Sequence, residues 1–491
     1  MNICCANHGP RLAAPQGNTV KFSNNPQDHD ALPNDTVDIP NVSANGGKPS
    51  TDSVVLENKK AIFVMGNLVG LRPDPAYKLT PNADGNFVYA DNSDKNFNGA
   101  NAFGAVAETV NKYNQVLGEL TGKNIEWAFG DKQIKVSPET GDWPNAFYAR
   151  QFKGLHFFHY KTTSTAASGE VSSHEAGHAI LDSQRPGFME GSGSETGAYH
   201  EAFGDCLSML MTLGNEKAVE ALVAQTEGGD LSTRRNMLSD MGEAFGHALG
   251  REGGIRTSKN EFVYADPASL PEHGDENHLG REVHDFSRLW SGAFYDVIDG
   301  ISDANRAAGM APKEALMAAG EECWKLLVGQ VELSPKASET TFHEMAANMA
   351  AADAQFNGGA RGELIKNVMV KRGLMDADAP PPSRQNGARL FNAEPVRQEF
   401  FIGNDAGQLA GVNMSSVVDQ PAFGLVGLTN STIAEAEKGA RLLAADGEVL
   451  FTDKTNPDLG DIFRPDGTAY AAYVAPNAKG EREFHRTKIV F

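Results

Sequence analysis

The stretch from residue 172 to 180, with His174-Glu175-Ala176-Gly177-His178 at its centre, restricts what this chain can fold into more than any other. Two histidines four apart lie on one face of a helix, a turn above each other, so both imidazoles can reach a single Zn²⁺. The glutamate between them sits beside such a metal without binding it, where a carboxylate can take a proton from an activated water. A pentad alone also fits an ordinary helix-surface pair. A third ligand separates the two readings, and it must come from another element that reaches this helix.

Residues 197–205, Gly-Ala-Tyr-His-Glu-Ala-Phe-Gly-Asp, supply it. Glu201 offers the third ligand, and Asp205, one turn later, offers a carboxylate to the other ring nitrogen of a ligand histidine. His₂Glu with an open water position is a standard catalytic zinc set, and an outer carboxylate that fixes the imidazole tautomer is its usual partner. HExxH, then about two dozen residues, then Gly-Ala-x-x-Glu-Ala-x-x-Asp resembles the thermolysin-like zinc metallopeptidases, the gluzincins. The resemblance implies His174, His178 and Glu201 as ligands of one catalytic zinc ion, Glu175 as general base, and Asp205 as the group that orients His174. The Gly- and Ser-rich loop over residues 186–194 absorbs a spacing slightly longer than in the family's type member.

Further segments extend the resemblance. Trp143-Pro144-Asn145-Ala146-Phe147-Tyr148 resembles the family's edge strand, to which a bound peptide adds as another strand; this implies that Asn145 and Ala146 bind substrate. Residues 154–160 are its expected sheet neighbour, and His156 and His159, three apart on a strand, point to opposite faces and are read as structural. Gly254-Ile255-Arg256-Thr257-Ser258 resembles the segment whose arginine grips the substrate carbonyl. Arg256 takes that role, with Arg251 and Arg281 as rivals. Residues 282–295 resemble the segment whose histidine binds the tetrahedral oxyanion, which makes His284 that residue. The family's aspartate partner of this histidine falls on Leu279 here, leaving Glu282, Asp275 and Glu276 as alternatives. Tyr199 is a tyrosine close to the ligand helix for the oxyanion work. Glu170 stands where the type member has a calcium-binding aspartate, but the run 206–213 is apolar, so no set for a structural Ca²⁺ is evident.

At 491 residues and 40% hydrophobic, the chain has material for two or three globular units. A net charge of −21 argues against nucleic acid or an anionic membrane as partner, and no stretch approaches the apolar length of a membrane span. The expected partners are protein or peptide substrates; oligomeric state is not written in the sequence. The first residues lack the cationic-then-apolar pattern of a secretory signal, so the expectation is cytoplasmic action or export by another route. Cys4, Cys5, Cys206 and Cys323 suggest no disulfide framework, the last two reading as buried small hydrophobes.

The expected fold class is α+β, and the resemblance implies a thermolysin-like two-lobed metallopeptidase. Residues 1–52 read as a polar, disordered leader. Residues 53–185 form a β-rich N-terminal lobe, with strands expected at 54–69, 87–90, 125–129 and 133–136, a helix at 101–117, then the edge strand and zinc helix. Residues 186–375 form a helical C-terminal lobe with helices at 313–328, 341–352 and 361–370. A Pro-rich linker and a small β-rich extension occupy 376–491. The expected function is a zinc-dependent endopeptidase. Two alternatives stay open: a catalytically impaired binding protein on the metallopeptidase fold, and an aminopeptidase-like gluzincin, for which no motif that grips a free amine is visible.

Overall fold

The structure, a computed structural model, describes residues 18–25, 32, 34–64, 67–90, 95–190, 193–378, 470–476 and 482–488. Strand β1 (Val20–Asn24) pairs antiparallel with β2 (Asp35–Ile39). Phe22 is fully buried, stacked on Phe87 at 5.1 Å between ring centroids and against Phe103 at 4.9 Å. Burying such a ring contributes about 1.5–3 kcal/mol. The folded body therefore starts before the expected boundary at residue 53, because the polar leader still carries Val20, Phe22, Val37 and Ile39 on buried positions.

Strands β3 (Val54–Leu56), β4 (Lys59–Val64) and β5 (Asn67–Pro73) occupy the expected apolar run, and β4 and β5 form an antiparallel pair. The strand expected at 87–90 is reduced to a single bridge from Phe87 to Phe22. Helix α1 (Lys95–Thr121) buries Phe97, Ala100, Phe103, Val106, Val110, Tyr113 and Leu117, a spacing of three or four that gives one apolar face. It stops where Gly122 takes φ 74°, a left-handed conformation open to glycine. Residues 125–127 lack regular structure and lead into a turn at 128–129 rather than forming a strand, with the Trp127 and Phe129 rings stacked at 5.9 Å.

Strands β6 (Ile134–Ser137), β7 (Ala146–Ala149) and β8 (Gly154–Phe157) join β3 in a mixed sheet of order β3-β6-β8-β7. The expected substrate strand, β7, is thus an edge strand, antiparallel to β8. A short hairpin of β9 (His159–Tyr160) and β10 (Thr163–Ser164) follows. His156 is buried against the rings of Phe147 and Phe152, and His159 bonds the Glu139 carboxylate at 2.9 Å, so both are structural as read.

Helix α2 (Gly169–Gln184) carries the pentad. Its N-cap is Ser168, whose hydroxyl accepts the Val171 N–H at 3.2 Å. The Gly169 N–H donates to the Asn25 carbonyl at 2.8 Å, which ties the β1 segment to the start of this helix. Helices α3 (Pro186–Glu190), α4 (Ser194–Gly214) and α5 (Glu216–Gln225) follow. Strands β11 (Asp240–Met241) and β12 (Arg256–Thr257) then pair around α6 (Glu243–Ala248).

Four helices close the body: α7 (Val283–Ala307), α8 (Pro312–Leu333), α9 (Phe342–Phe356) and α10 (Gly362–Lys371). Proline at the first position of α8 and a Thr341/Glu344 capping box on α9 mark their starts. Helix α2 packs on α4, α4 on α7 and α8, and α8 on α9. The fold is α+β. Strands β13 (Tyr470–Pro476) and β14 (Arg482–Lys488) form an antiparallel hairpin; the Pro-rich linker and the other strands expected in the extension lie outside the described residues, as do Cys4 and Cys5. Cys206 and Cys323 are buried free thiols. No helix among the described residues is long and apolar enough to cross a membrane.

Candidate metal centre

Helices α2 and α4 meet at two glycines. A Cβ built on Gly177 would stand 2.9 Å from the Gly204 Cα, and one on Gly204 would stand 2.5 Å from Nδ1 of His174. No side chain larger than hydrogen fits at either position without movement. This close approach brings Glu201, one turn before Gly204, under the two histidines of α2.

The Glu201 carboxylate bridges them: Oε2 lies 3.4 Å from Nε2 of His174 and Oε1 lies 3.5 Å from Nε2 of His178. Ligands of a tetrahedral ion at 2.0–2.2 Å stand about 3.3–3.6 Å apart. The separations therefore match the edges of a zinc-sized coordination shell. Ligand atoms of His174, Glu175 and His178 also lie within 4.8 Å of one another, so the Glu175 carboxylate adjoins the same space. His174, Glu175, His178 and Glu201 show no solvent-exposed surface. Both carboxylates are buried without a full hydrogen bond among the described residues. Leaving such groups unpaired is costly, and a shared cation would satisfy them. The buried group could hold a metal ion.

Behind the donors stands a layer of orienting groups. Asp205 Oδ1 lies 3.1 Å from Nδ1 of His174 and accepts from Nη2 of Arg256 at 2.8 Å; its Oδ2 accepts from the Ser291 hydroxyl at 3.0 Å. His178 meets His200 through their Nδ1 atoms, 3.1 Å apart. A cation on Nε2 of His178 would leave the hydrogen on its Nδ1, with His200 accepting it. His284 faces Glu201 Oε2 across 3.4 Å, and its Nδ1 bonds Glu282 Oε1 at 2.6 Å. Glu282 is also the N-cap of α7, its other oxygen accepting the N–H groups of His284 and Asp285.

The electrostatics follow from this layering. Burial pushes the His178 proton affinity down, and the neighbouring His174, His200, His284 and Arg256 push it further, leaving a neutral imidazole. For His174 burial acts the same way, but Asp205 and Glu201 outweigh it and raise the pKa to about 9. A cation entering the site competes with that proton. Burial raises Glu175 to about 8, with His174, Arg256 and the backbone of Tyr148 acting in the opposite direction. Burial also opposes the charge on Asp205, yet Arg256 and His174 hold its carboxyl well below the usual carboxylate range.

The structure gathers six expected residues at one place: His174, Glu175, His178, Glu201, Asp205 and His284. Among the three candidate partners of His284 it selects Glu282; Asp275 instead bonds the exposed His278. Arg256 joins the same cluster. It is buried against Asp205, with Glu201 Oε2 at 3.5 Å, and so braces the carboxylates; its Nε and Nη1 make no hydrogen bond among the described residues. Rival Arg251 bonds the Ile255 carbonyl, and Arg281 pairs with Glu272 at the surface. Tyr199 is a core residue, its hydroxyl accepting from Gln330 at 3.0 Å and its ring against Trp290, because the position on α4 faces α8. Asn145 and Ala146 are buried, and Asn145 Oδ1 accepts the Ala146 N–H at 2.9 Å. Strand β7 is pinned to α2 by Asp182, which accepts from the Tyr148 hydroxyl at 2.7 Å and from Nε of Arg150 at 2.9 Å. Glu170, the residue at the type member's calcium position, accepts the Gly242 N–H at 3.1 Å.

Sequence reasoning missed His200 and Asp182. His200 adjoins Glu201 in sequence, and Asp182 falls one turn after His178 on α2; these were the signals on offer. No family model matches this chain, and no curated protein matches it.

Proposed function

We propose that this chain is a zinc-dependent endopeptidase of the thermolysin-like, gluzincin type, with a two-lobed architecture divided at the α2 region. The observation that carries the reading is the Glu201 carboxylate spanning His174 and His178 at tetrahedral-edge distances, with the Glu175 carboxylate beside it. A divalent cation held by His174, His178 and Glu201 would supply Lewis acidity and bring the pKa of water toward neutrality. Glu175 takes the proton of the attacking water and returns it to the leaving amine nitrogen. Its burial makes it a stronger base than an exposed glutamate, which suits both transfers. His284, held by Glu282, presents Nε2 toward the carbonyl oxygen that gains charge. Strand β7, at the edge of its sheet, would be the strand to which an extended peptide adds.

A second reading has its own support. His284 stands as close to Glu201 Oε2 as His174 does, and the donors are buried, so His284 acting as a fourth ligand would make a metal-holding binding protein. One experiment separates the two: metal content by mass spectrometry and casein cleavage, with and without chelator, for the full chain and Glu175→Gln. The peptidase reading expects one zinc per chain, internal cuts abolished by chelator, and a loss of about 10²–10⁴-fold in Glu175→Gln with zinc retained. Bound zinc without chelator-sensitive cleavage favours the binding protein, and trimming from one end alone favours an aminopeptidase.

A further inference from the structure

Away from the metal centre, a cavity of about 290 Å³ lies between β2, α1, α4 and α8. Its wall on α1 is a single stripe: Glu108, Asn111, Lys112 and Gln115 stand at i, i+3, i+4 and i+7 on one helix face. Ile39, Leu210, Met211 and Trp324 give it an apolar lining. Its lining is divided about equally between polar groups and these apolar side chains, and its volume falls just below the usual range for a small-molecule site.

The charges around it are already matched, with one exception. Lys112 pairs with Glu321 at 2.7 Å, Lys21 with Asp38 at 3.0 Å, and Lys217 with Asp35 at 2.6 Å. Glu108 makes no hydrogen bond or ion pair among the described residues, although it lines the cavity. Partial burial and the nearby Asp35 push its pKa up to about 7. A divalent metal would need several oxygen ligands, and the other carboxylates here are engaged by lysines. An ammonium on a short apolar stem needs one carboxylate and an apolar wall, which is what the cavity provides.

We infer that this cavity binds a small organic amine, its ammonium paired with Glu108 and its apolar part against Leu210, Met211 and Trp324. The site shares α4 with the metal centre but lies nine residues further along, roughly 13 Å of helix from Glu201 to Leu210. It is a second site, independent of the peptidase reading.

Calorimetric titration of benzylamine into the full chain tests this, beside benzyl alcohol, which has the same shape without the charge. Saturable one-to-one binding of benzylamine is expected, with benzyl alcohol and the variant Glu108→Gln each about tenfold weaker, the effect of one charge-assisted contact. Met211→Trp, which fills the cavity and leaves Glu108 in place, should abolish binding, so the result does not hang on one variant. Absence of saturable binding, equal affinity for benzyl alcohol, or undiminished binding by both variants overturns the inference.

Discussion

Asp205 joins three things at once: the His174 ring, the Arg256 guanidinium and the Ser291 hydroxyl. Replacing it by Asn removes the charge that Arg256 was buried against and leaves His174 without its orienting carboxylate. We expect Asp205→Asn to weaken zinc binding by about 10–100-fold and to destabilise the fold by about 3–5 kcal/mol. Competition with a chromophoric chelator reads the first and urea unfolding the second. Unchanged zinc affinity would show that Asp205 does not orient the ligand. The residue scale was also where the chain was most legible, because HExxH and Glu-x-x-x-Asp are spacings on helices, and helical spacing converts directly into facing side chains. His200 and Glu282 were less legible, since a histidine beside a ligand and a glutamate at a helix start each have ordinary explanations.

Between elements, the metal site depends on how closely α2 and α4 approach. Gly204 lies against the His174 ring and Gly177 lies against Gly204, so both glycines set the interhelical distance. Gly204→Ala places a methyl group where the ring stands. We expect a loss of about 1–3 kcal/mol in stability, with His174 displaced and zinc content lowered even where the fold survives. Thermal melts and metal analysis of the purified variant check this, and full zinc occupancy with an unshifted melt would contradict it. Neither glycine could be assigned this role from sequence, because a helical glycine announces close packing without naming its partner. The leader shows the same limit: Phe22 and Ile39 sit in polar surroundings in sequence and reveal their burial only beside Phe87 and α1.

For the molecule as a whole, the metal-free site makes stability depend on pH. The folded state raises His174 from its ordinary 6.5 to about 9 and Glu175 from 4.5 to about 8, so each binds its proton more tightly folded than unfolded. Their contributions are complete below those ordinary values and are lost as pH rises through 8 and 9. Asp205 acts in the opposite sense: its contribution is complete above its ordinary value of 3.8 and is lost progressively as pH falls below it. His178 and His156, whose pKa values burial pushes well below 6.5, act in the opposite sense up to about that pH, so chelator-treated protein should lose stability between about pH 7 and pH 9, as measured by urea midpoints. Zinc-loaded protein should resist the alkaline part, because a bound cation replaces the proton on His174 and adds its own binding free energy. Parallel curves for the two forms would mean that the site does not exchange a proton for a metal.

The sequence by itself marked the longer helices and the facing pairs on them, since a period of 3.6 residues places His174 over His178 and Glu201 over Asp205 without reference to the rest of the chain. It also marked β7 as a strand and His284 as a helix-start residue. Only the tertiary structure decided that Glu201 bridges both imidazoles, that Arg256 lies against Asp205, and that Glu282 is the partner of His284. Those are distances between segments far apart in the chain, set by packing against a common core, and no local period encodes them.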